Sequence, residues 1–480
     1  MEEKELQQKT RSAFLWNLLD RVGTQLIAVI IGIALARMLG AAEYGLTGAL
    51  AIFIALSSTL TDSGFSYALV RKKDISEADY NTVFYYNLVV ALILYVSGYL
   101  SAPFIAAFFN QPILSSVART LFIVFIFNAL CLIQNAKMVK EIDFHKITSI
   151  NLAAITVSGI TALYLAYKGY GVWALVAQTV TQSFVKMLLQ WIWGGWRPRL
   201  IFSRHSFKEM FAFGSNLMLA NLLNVLFLNI YSAIIGRLYS SRDLGYYTQA
   251  GKWSDMSITT LYSVIQNSTF TIFSTIQHDK QRLLRSYRKT MQLTAFIAFP
   301  VLTGLMLTAR PFILIFLGEK WAPSIPMFSL LLLAGIFTVL TTVNGNFIRI
   351  EGNSRLVLRL EIFKILLFIV ILACTWKLPI IRLLWGMVIT RAIVYIISIV
   401  TIGKSVGYPW HRQLYDILPS CAISLLMICF AYPAVFFISN IYLLFGVQFT
   451  LCLLFYWIVN RYIQSSILGE VVRYIKNIGK

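Results

Sequence analysis

LIAVIIGIALA at residues 26–36, FSLLLLAGIFTVL at 328–340 and ILLFIVILACTW at 365–376 decide the fold between them. Each run is continuously apolar, whereas a strand of a membrane barrel alternates apolar and polar residues over about ten positions. With their flanks the runs approach the ~20 residues that carry a helix, at ~1.5 Å per residue, across ~30 Å of hydrocarbon. In lipid every backbone N–H and C=O must be satisfied by the chain itself, which a helix does within one segment. The predicted fold is all-α, a multi-pass membrane protein.

Composition agrees: 58% of residues are apolar and 13% charged, against roughly half and a quarter in soluble domains. Reading outward from the three runs, about fourteen transmembrane helices are expected, the first over 13–37, the second over 45–70, the eighth over 245–275, the ninth over 292–315 and the twelfth over 380–403, with boundary errors of a few residues. The loops alternate in character. One set is long and basic (RKKDISEAD, KMVKEIDFHK, WRPRLIFSRHSFKE, QHDKQRLLRSYRK, RIEGNSRLVLR); the other is short (LGAAEYG, YKGYG, RLYSSRDLG, LGEKWAPS). The basic set with both termini holds about 28 of the 41 Lys and Arg, the short set about nine, so the first set and both termini are expected in the cytoplasm. The net charge of +21 is then explained by the anionic inner leaflet, without a nucleic acid partner. The five cysteines lie in apolar segments without ligand spacing and the four histidines stand singly in loops, so no metal is expected. The polar start MEEKELQQKTR, followed by Asp20 and Arg21, lacks the core of a signal peptide.

ARMLGAAEYG at 36–45 returns as GRLYSSRDLG at 236–245: Arg37, Glu43 and Gly45 are matched by Arg237, Asp243 and Gly245, and 237 − 37 = 200 at all three. Each copy stands between the first two helices of a half. The expected organisation is an N-terminal lobe at 1–210 (helices 1–6), a C-terminal lobe at 211–411 (helices 7–12) and helices 13 and 14 with a basic tail at 412–480. Two parallel repeats suit alternating access, with the substrate site in the cleft between them. Arg37 with Glu43 and Arg237 with Asp243 are expected to be structural pairs across the two turns.

Ionisable groups at membrane depth cost free energy unless they face a cavity or a partner. Arg21, Lys186, Lys252 and Arg391 are the candidate binders of an anionic headgroup, because Arg and Lys hold phosphate and pyrophosphate well. Asp20, Asp62 and Asp255 are candidate charge partners or ion-coupling groups. Asp20 with Arg21 and Lys252 with Asp255 are placed to neutralise each other, and Lys186 has a competing reading as a side chain that snorkels to the interface. The sequence holds no GxxxxGK[ST] loop for ATP, no cofactor motif and no paired carboxylates or Ser/His/Asp set for catalysis. The expected energy source is an ion gradient of H+ or Na+, the membrane potential, or pull by downstream polymerisation; Asp62 is the candidate ion site, with a competing reading as a permanent charge partner of Arg21 or Lys186.

RVGTQLIAVIIGIALARMLGAAEYG, STFTIFSTIQHDKQRLLRSYRK, ARPFILIFLGEKW and NGNFIRIEGNSRLVLRLEIFK, in this order, resemble the Wzx-type flippases of the multidrug/oligosaccharidyl-lipid/polysaccharide superfamily, in the branch of the colanic and teichuronic acid exporters. The resemblance runs over nearly the whole chain. It implies a non-enzymatic flippase of the bacterial cytoplasmic membrane. Such a protein carries an undecaprenyl-pyrophosphate-linked oligosaccharide to the periplasmic leaflet for O-antigen, capsule or exopolysaccharide synthesis, beside a polymerase and assembly proteins. It also implies two six-helix lobes plus two helices, and a role at the pyrophosphate for Arg21. Two rival readings differ in chemistry: an ion-coupled drug or cation antiporter of the same superfamily would favour acids over the observed intramembrane cations, and a membrane glycosyltransferase or polymerase needs a large external loop.

Overall fold

The computed structural model describes residues 3–62, 65, 69, 72, 75–275, 279–350, 354–406 and 408–463, and among them every long element is an α-helix. The helices are α1 (Glu3–Met38), α2 (Ala41–Asp62), α3 (Glu77–Phe108), α4 (Ile113–Leu121), α5 (Ile123–Lys140), α6 (Phe144–Tyr167), α7 (Val172–Trp193), α8 (Arg204–Leu238) and α9 (Ser241–Thr275). They continue with α10 (Lys280–Leu307), α11 (Ala309–Phe316), α12 (Ser324–Ile350), α13 (Ser354–Thr375), α14 (Ile380–Val406), α15 (Trp410–Ala431), α16 (Ala434–Phe437) and α17 (Ile441–Tyr462).

Twelve helical stretches among the described residues are long and apolar enough to cross a bilayer. α4 and α5 together make one of them and α15 with α16 another. The predicted span 245–275 and the helix that carries the 365–376 run fall outside this set: α9 is rich in Ser, Thr, Gln and Asn, and α13 carries Arg359, Glu361 and Lys364 within two turns, the last two ion-paired. Hydropathy marks only the buried part of a helix. α1 therefore begins ten residues before the predicted 13, and α10 begins at Lys280 rather than 292, because a helix that leaves the membrane keeps its backbone ladder. The end of the predicted second helix and the tail 464–480 lie partly or wholly outside the described residues.

Polar caps set several starts. Ser76 accepts from the Asp79 amide while Asp79 accepts from Ser76, a capping box on α3; Asp143 caps α6, Ser203 α8, Asp279 α10 and Asn440 α17.

The chain forms two compact units, Met1–Thr248 and Gln249–Lys480. In the first, α6 packs along α1 and α7, α5 lies against α3 and α7, and α2 packs on α8. One end is closed by an aromatic core of Phe65, Phe84, Trp196 and Met210, with Tyr80, Tyr86 and Phe207 against it. In the second, α12 packs on α10 and α14, and α15 joins α10 to α17. The boundary between the units falls inside α9.

Candidate functional site

In the first unit the N-terminal half of α1 is pinned to α6. Thr148 Oγ1 donates to the Trp16 carbonyl at 3.0 Å, and Asn151 Nδ2 donates to Asp20 Oδ1 at 3.1 Å and Oδ2 at 3.4 Å. Consecutive helical positions point ~100° apart and do not face each other. Asp20 thus turns to Asn151, half-buried, while Arg21 is exposed; the expected Asp20–Arg21 neutralisation gives way to an Asp20–Asn151 contact. Lys186 is half-buried on α7. Asp62 closes α2, also half-buried. Arg21 and Lys186 therefore belong to the two helices that flank α6.

In the second unit three of the predicted groups share a neighbourhood. Arg391 of α14 donates through Nη1 to Thr338 Oγ1 of α12, and its charge acts on Asp255 of α9. Lys252, one turn before Asp255, extends from buried Trp253 with its ammonium 5.9 Å from the ring centroid. Asp255 makes no ion pair with Lys252 and lies within range of the Arg391 charge. Two cations, Lys252 and Arg391, and one acid, Asp255, thus stand in the same neighbourhood, and Lys252 and Asp255 are both exposed on α9. Below them Thr259, Thr260 and Ser263 continue the polar face, their hydroxyls donating to Asp255 O (2.6 Å), Met256 O (2.8 Å) and Thr260 O (3.0 Å). An exposed polar face on a helix of this length suits a lining for a hydrated headgroup. The signal in the sequence was the Ser/Thr density of SITTLYS, which hydropathy alone records as a weak span.

The repeat turns have their own geometry. Asp243 accepts from Ser240 Oγ at 2.6 Å and returns its amide to that oxygen at 3.1 Å, capping α9. Arg237 donates to the Phe108 carbonyl at 2.6 Å with its guanidinium 5.2 Å from the Phe108 ring. In the second copy two separate contacts thus replace the expected Arg237–Asp243 pair. In the first, Glu43 folds back over Gly40 and Arg37 is exposed. The matched glycines do more. A β-carbon on Gly45 would overlap the Ser241 carbonyl oxygen, one on Gly245 would overlap that of Ala41, and one on Gly48 would collide with the Thr248 hydroxyl. The first turns of α2 and α9 thus cross backbone to backbone, which only glycine permits.

A polar cluster that the sequence reading missed joins four helices of the second unit. Arg288 of α10 grips Asp416 of α15 through Nε and Nη2 at 2.5 and 2.6 Å, and Gln292 and Tyr408 also donate to this buried carboxylate. Beside it buried Tyr287 lies 2.7 Å from Asn344 Oδ1 of α12 and 3.0 Å from Gln413 Oε1, and Asn344 donates to Ser398 of α14 at 2.6 Å. Among the described residues no group of three His, Cys, Asp or Glu is placed to hold a metal.

The family model described as "Polysaccharide biosynthesis protein" matches residues 34–326. Lipopolysaccharide biosynthesis protein WzxC of Escherichia coli K12 is 26% identical over 370 residues, 76% of this chain and 74% of the relative. Teichuronic acid biosynthesis protein TuaB of Bacillus subtilis 168 is 24% identical over 346 residues, 71% of each. Among solved structures, lipid II flippase MurJ in an inward closed conformation superposes with a TM-score of 0.75 at 14% identity, covering 94% of this chain and 99% of its own. An inward-facing MATE-family multidrug transporter reaches 0.63 at 17%, covering 80% and 94%. At these identities the structural likeness shows the fold.

Proposed function

The chain belongs to the polysaccharide biosynthesis protein family, and from that premise we propose that it moves a lipid-linked oligosaccharide repeat unit from the cytoplasmic to the outer leaflet of the bacterial cytoplasmic membrane. The product then enters a surface polysaccharide, made with a polymerase and assembly proteins. The observation that carries this reading is the placement of two cations, Arg391 of α14 and Lys252 on the polar face of α9, around Asp255. A cation held at membrane depth and still exposed is stable where it meets water or an anion. Arg391 and Lys252 in the second unit, and Arg21 and Lys186 in the first, each take hold of the pyrophosphate. The bundle alternates its access between the two sides, by movement of the 1–210 and 211–411 lobes, while the polyprenyl tail stays in the bilayer.

The protein is a transporter rather than an enzyme, with no cofactor. H+ or Na+ entering at Asp62 is the proposed drive, and transport by Asp62→Asn that still follows the proton gradient would remove that role. An excess of cations disfavours a cationic drug as cargo. The deciding experiment is a deletion strain: lipid-linked oligosaccharide should accumulate in the inner leaflet and clear on complementation. Drug sensitivity without such accumulation would point to the antiporter reading instead.

A further inference from the structure

The segment between α7 and α8 has no regular structure, yet it is firmly held. Buried Trp196 packs on Phe84 at 5.4 Å between ring centroids and donates from Nε1 to Glu77 Oε2 at 3.2 Å; its carbonyl accepts from Gln134 Nε2 at 2.8 Å. The Arg199 amide donates to Asn81 Oδ1 at 2.5 Å and the Ser203 amide to Thr82 Oγ1 at 2.9 Å. Residues 196–203 are thereby fixed alongside the first two turns of α3, at the level where its apolar span begins.

Three consecutive apolar side chains project from this frame and are exposed among the described residues, the Phe202 ring lying tilted beside that of Phe207 at 6.2 Å between centroids. Leu200 is 94% exposed, Phe202 56% and Ile201 39%. Around them Arg197, Arg199 and Arg204 are exposed as well. Among the described acids of the elements that hold the frame, Glu77 accepts from Trp196, and Asp79 and Glu209 pair with Lys72 at 3.1 and 3.0 Å, while Arg197 donates to the Trp196 carbonyl at 3.1 Å and keeps its exposed guanidinium 5.6 Å from the Trp191 ring. Arg204 also begins α8, whose first turn holds no acid; a cation at a helix N-terminus is disfavoured by the backbone dipoles. An external anion satisfies both the dipole and the arginines.

We propose that residues 197–204 are a lipid-anchoring wedge. Leu200, Ile201 and Phe202 enter the acyl boundary of the leaflet on that side, while Arg197, Arg199 and Arg204 hold the phosphates of anionic phospholipids. Apolar residues flanked by Arg at membrane level are the chemistry of interfacial insertion, and the excess positive charge selects anionic headgroups. The basic-loop orientation makes this the cytoplasmic leaflet, but a nanodisc has two equivalent faces, so the test below stands apart from that orientation and from the flippase reading.

The test uses full-length protein with its five cysteines replaced, Leu200→Cys carrying a nitroxide, in nanodiscs of phosphatidylcholine with and without phosphatidylglycerol. Because Leu200 touches little of the protein, the substitution leaves packing intact. The expected result is a label reached by oxygen and shielded from a nickel chelate, more deeply when phosphatidylglycerol is present. A label on exposed Glu141→Cys serves as the water-facing reference. Arg197→Gln with Arg199→Gln and Arg204→Gln should abolish the phosphatidylglycerol dependence while elution stays monodisperse. Nickel access equal to that at position 141, shielding from both reagents as a covering protein would produce, or insertion indifferent to phosphatidylglycerol would each overturn the proposal.

Discussion

Gly45 and Gly245, at corresponding places in the two copies of the repeat, cross so closely that a β-carbon on either would overlap a carbonyl oxygen of the opposing helix. The relationship is reciprocal: Gly45 faces Ser241 and Gly245 faces Ala41, each again 200 positions from its counterpart (241 − 41 = 200). The same seam continues to Gly48 and Thr248. In the proposed cycle this seam closes one end of the bundle, and it must part for the other state to form.

Cysteines at Gly48 and Thr248 test that parting. A β-carbon on Gly48 would lie 3.4 Å from Thr248 Cβ, near the ~3.5–4.5 Å that disulfides span. In a background without the native cysteines, oxidation should join the pair and stop transport, and reductant should restore it. A joined protein that transports at the wild-type rate would show that the crossing is static.

Gly45→Val and Gly245→Val each drive a branched side chain into backbone. Overpacking of this kind costs about 1–3 kcal/mol, and here the obstacle is a carbonyl rather than a side chain that can move aside. Both variants should melt lower than wild type in a thermal-shift assay, while Gly251→Ala, where a β-carbon meets nothing within 4 Å, should not.

Arg391→Ala should lower transport of lipid-linked oligosaccharide at least about tenfold, equivalent to ~1.4 kcal/mol, with normal protein levels in the membrane. Arg391→Lys keeps the charge without the planar fork and should recover part of the activity. Full activity of Arg391→Ala in a leaflet-resolved transport assay would remove this residue from the site.

At the Arg288–Asp416 contact the two partners differ in exposure: the Asp416 side chain is 3% exposed, that of Arg288 53%. Arg288→Ala leaves a buried carboxylate without its cation and should cost about 2–3 kcal/mol, at the low end for a broken buried pair because water reaches the guanidinium. Adding Asp416→Asn should restore part of that loss, since a neutral amide needs no counterion. A double-mutant cycle by thermal or chemical unfolding measures the coupling.

Asp143, the cap of α6, supplies a pH test. Burial works to raise its carboxyl, but the Lys146 ammonium and amide outweigh burial and hold it below the ordinary value. A carboxylate depressed in the folded state stabilises above its unfolded value of about 3.9 and loses that contribution as pH falls through its own range. Wild type should therefore melt above Asp143→Asn at neutral pH, and the two curves should converge as the pH is taken below about 4.

The legible and the hidden parts of this protein differ in kind. Apolar runs such as 328–340 and the spacing of Arg37, Glu43 and Gly45 with Arg237, Asp243 and Gly245 are properties of the chain in one dimension, and they located helices and copies. Which face of α2 meets which face of α9 is a packing property, so the glycines were visible as a match and not as a crossing. Asp255 was visible as a charge at depth, but the cation whose charge reaches it, Arg391, lies 136 positions away (391 − 255 = 136), while the nearer Lys252 drew the expectation. Arg288 and Asp416 were hidden by hydropathy itself: Arg288 stands in a basic stretch that reads as loop, and Asp416 at the edge of an apolar one. That α10 starts at Lys280 and brings them together follows from the helix continuing beyond the membrane.

The hold on residues 196–203 also bears on the order in which the chain is built. The groups that fix this segment, Glu77, Asn81, Thr82 and Gln134, belong to α3 and α5, which leave the ribosome well before it. By the time α8 is synthesised, its starting point is already tied to finished structure. The start of α8 is thus set by residues made 118 and 121 positions earlier, and a variant such as Asn81→Leu should loosen a helix made long after the substituted residue, read as faster backbone hydrogen exchange over 199–206.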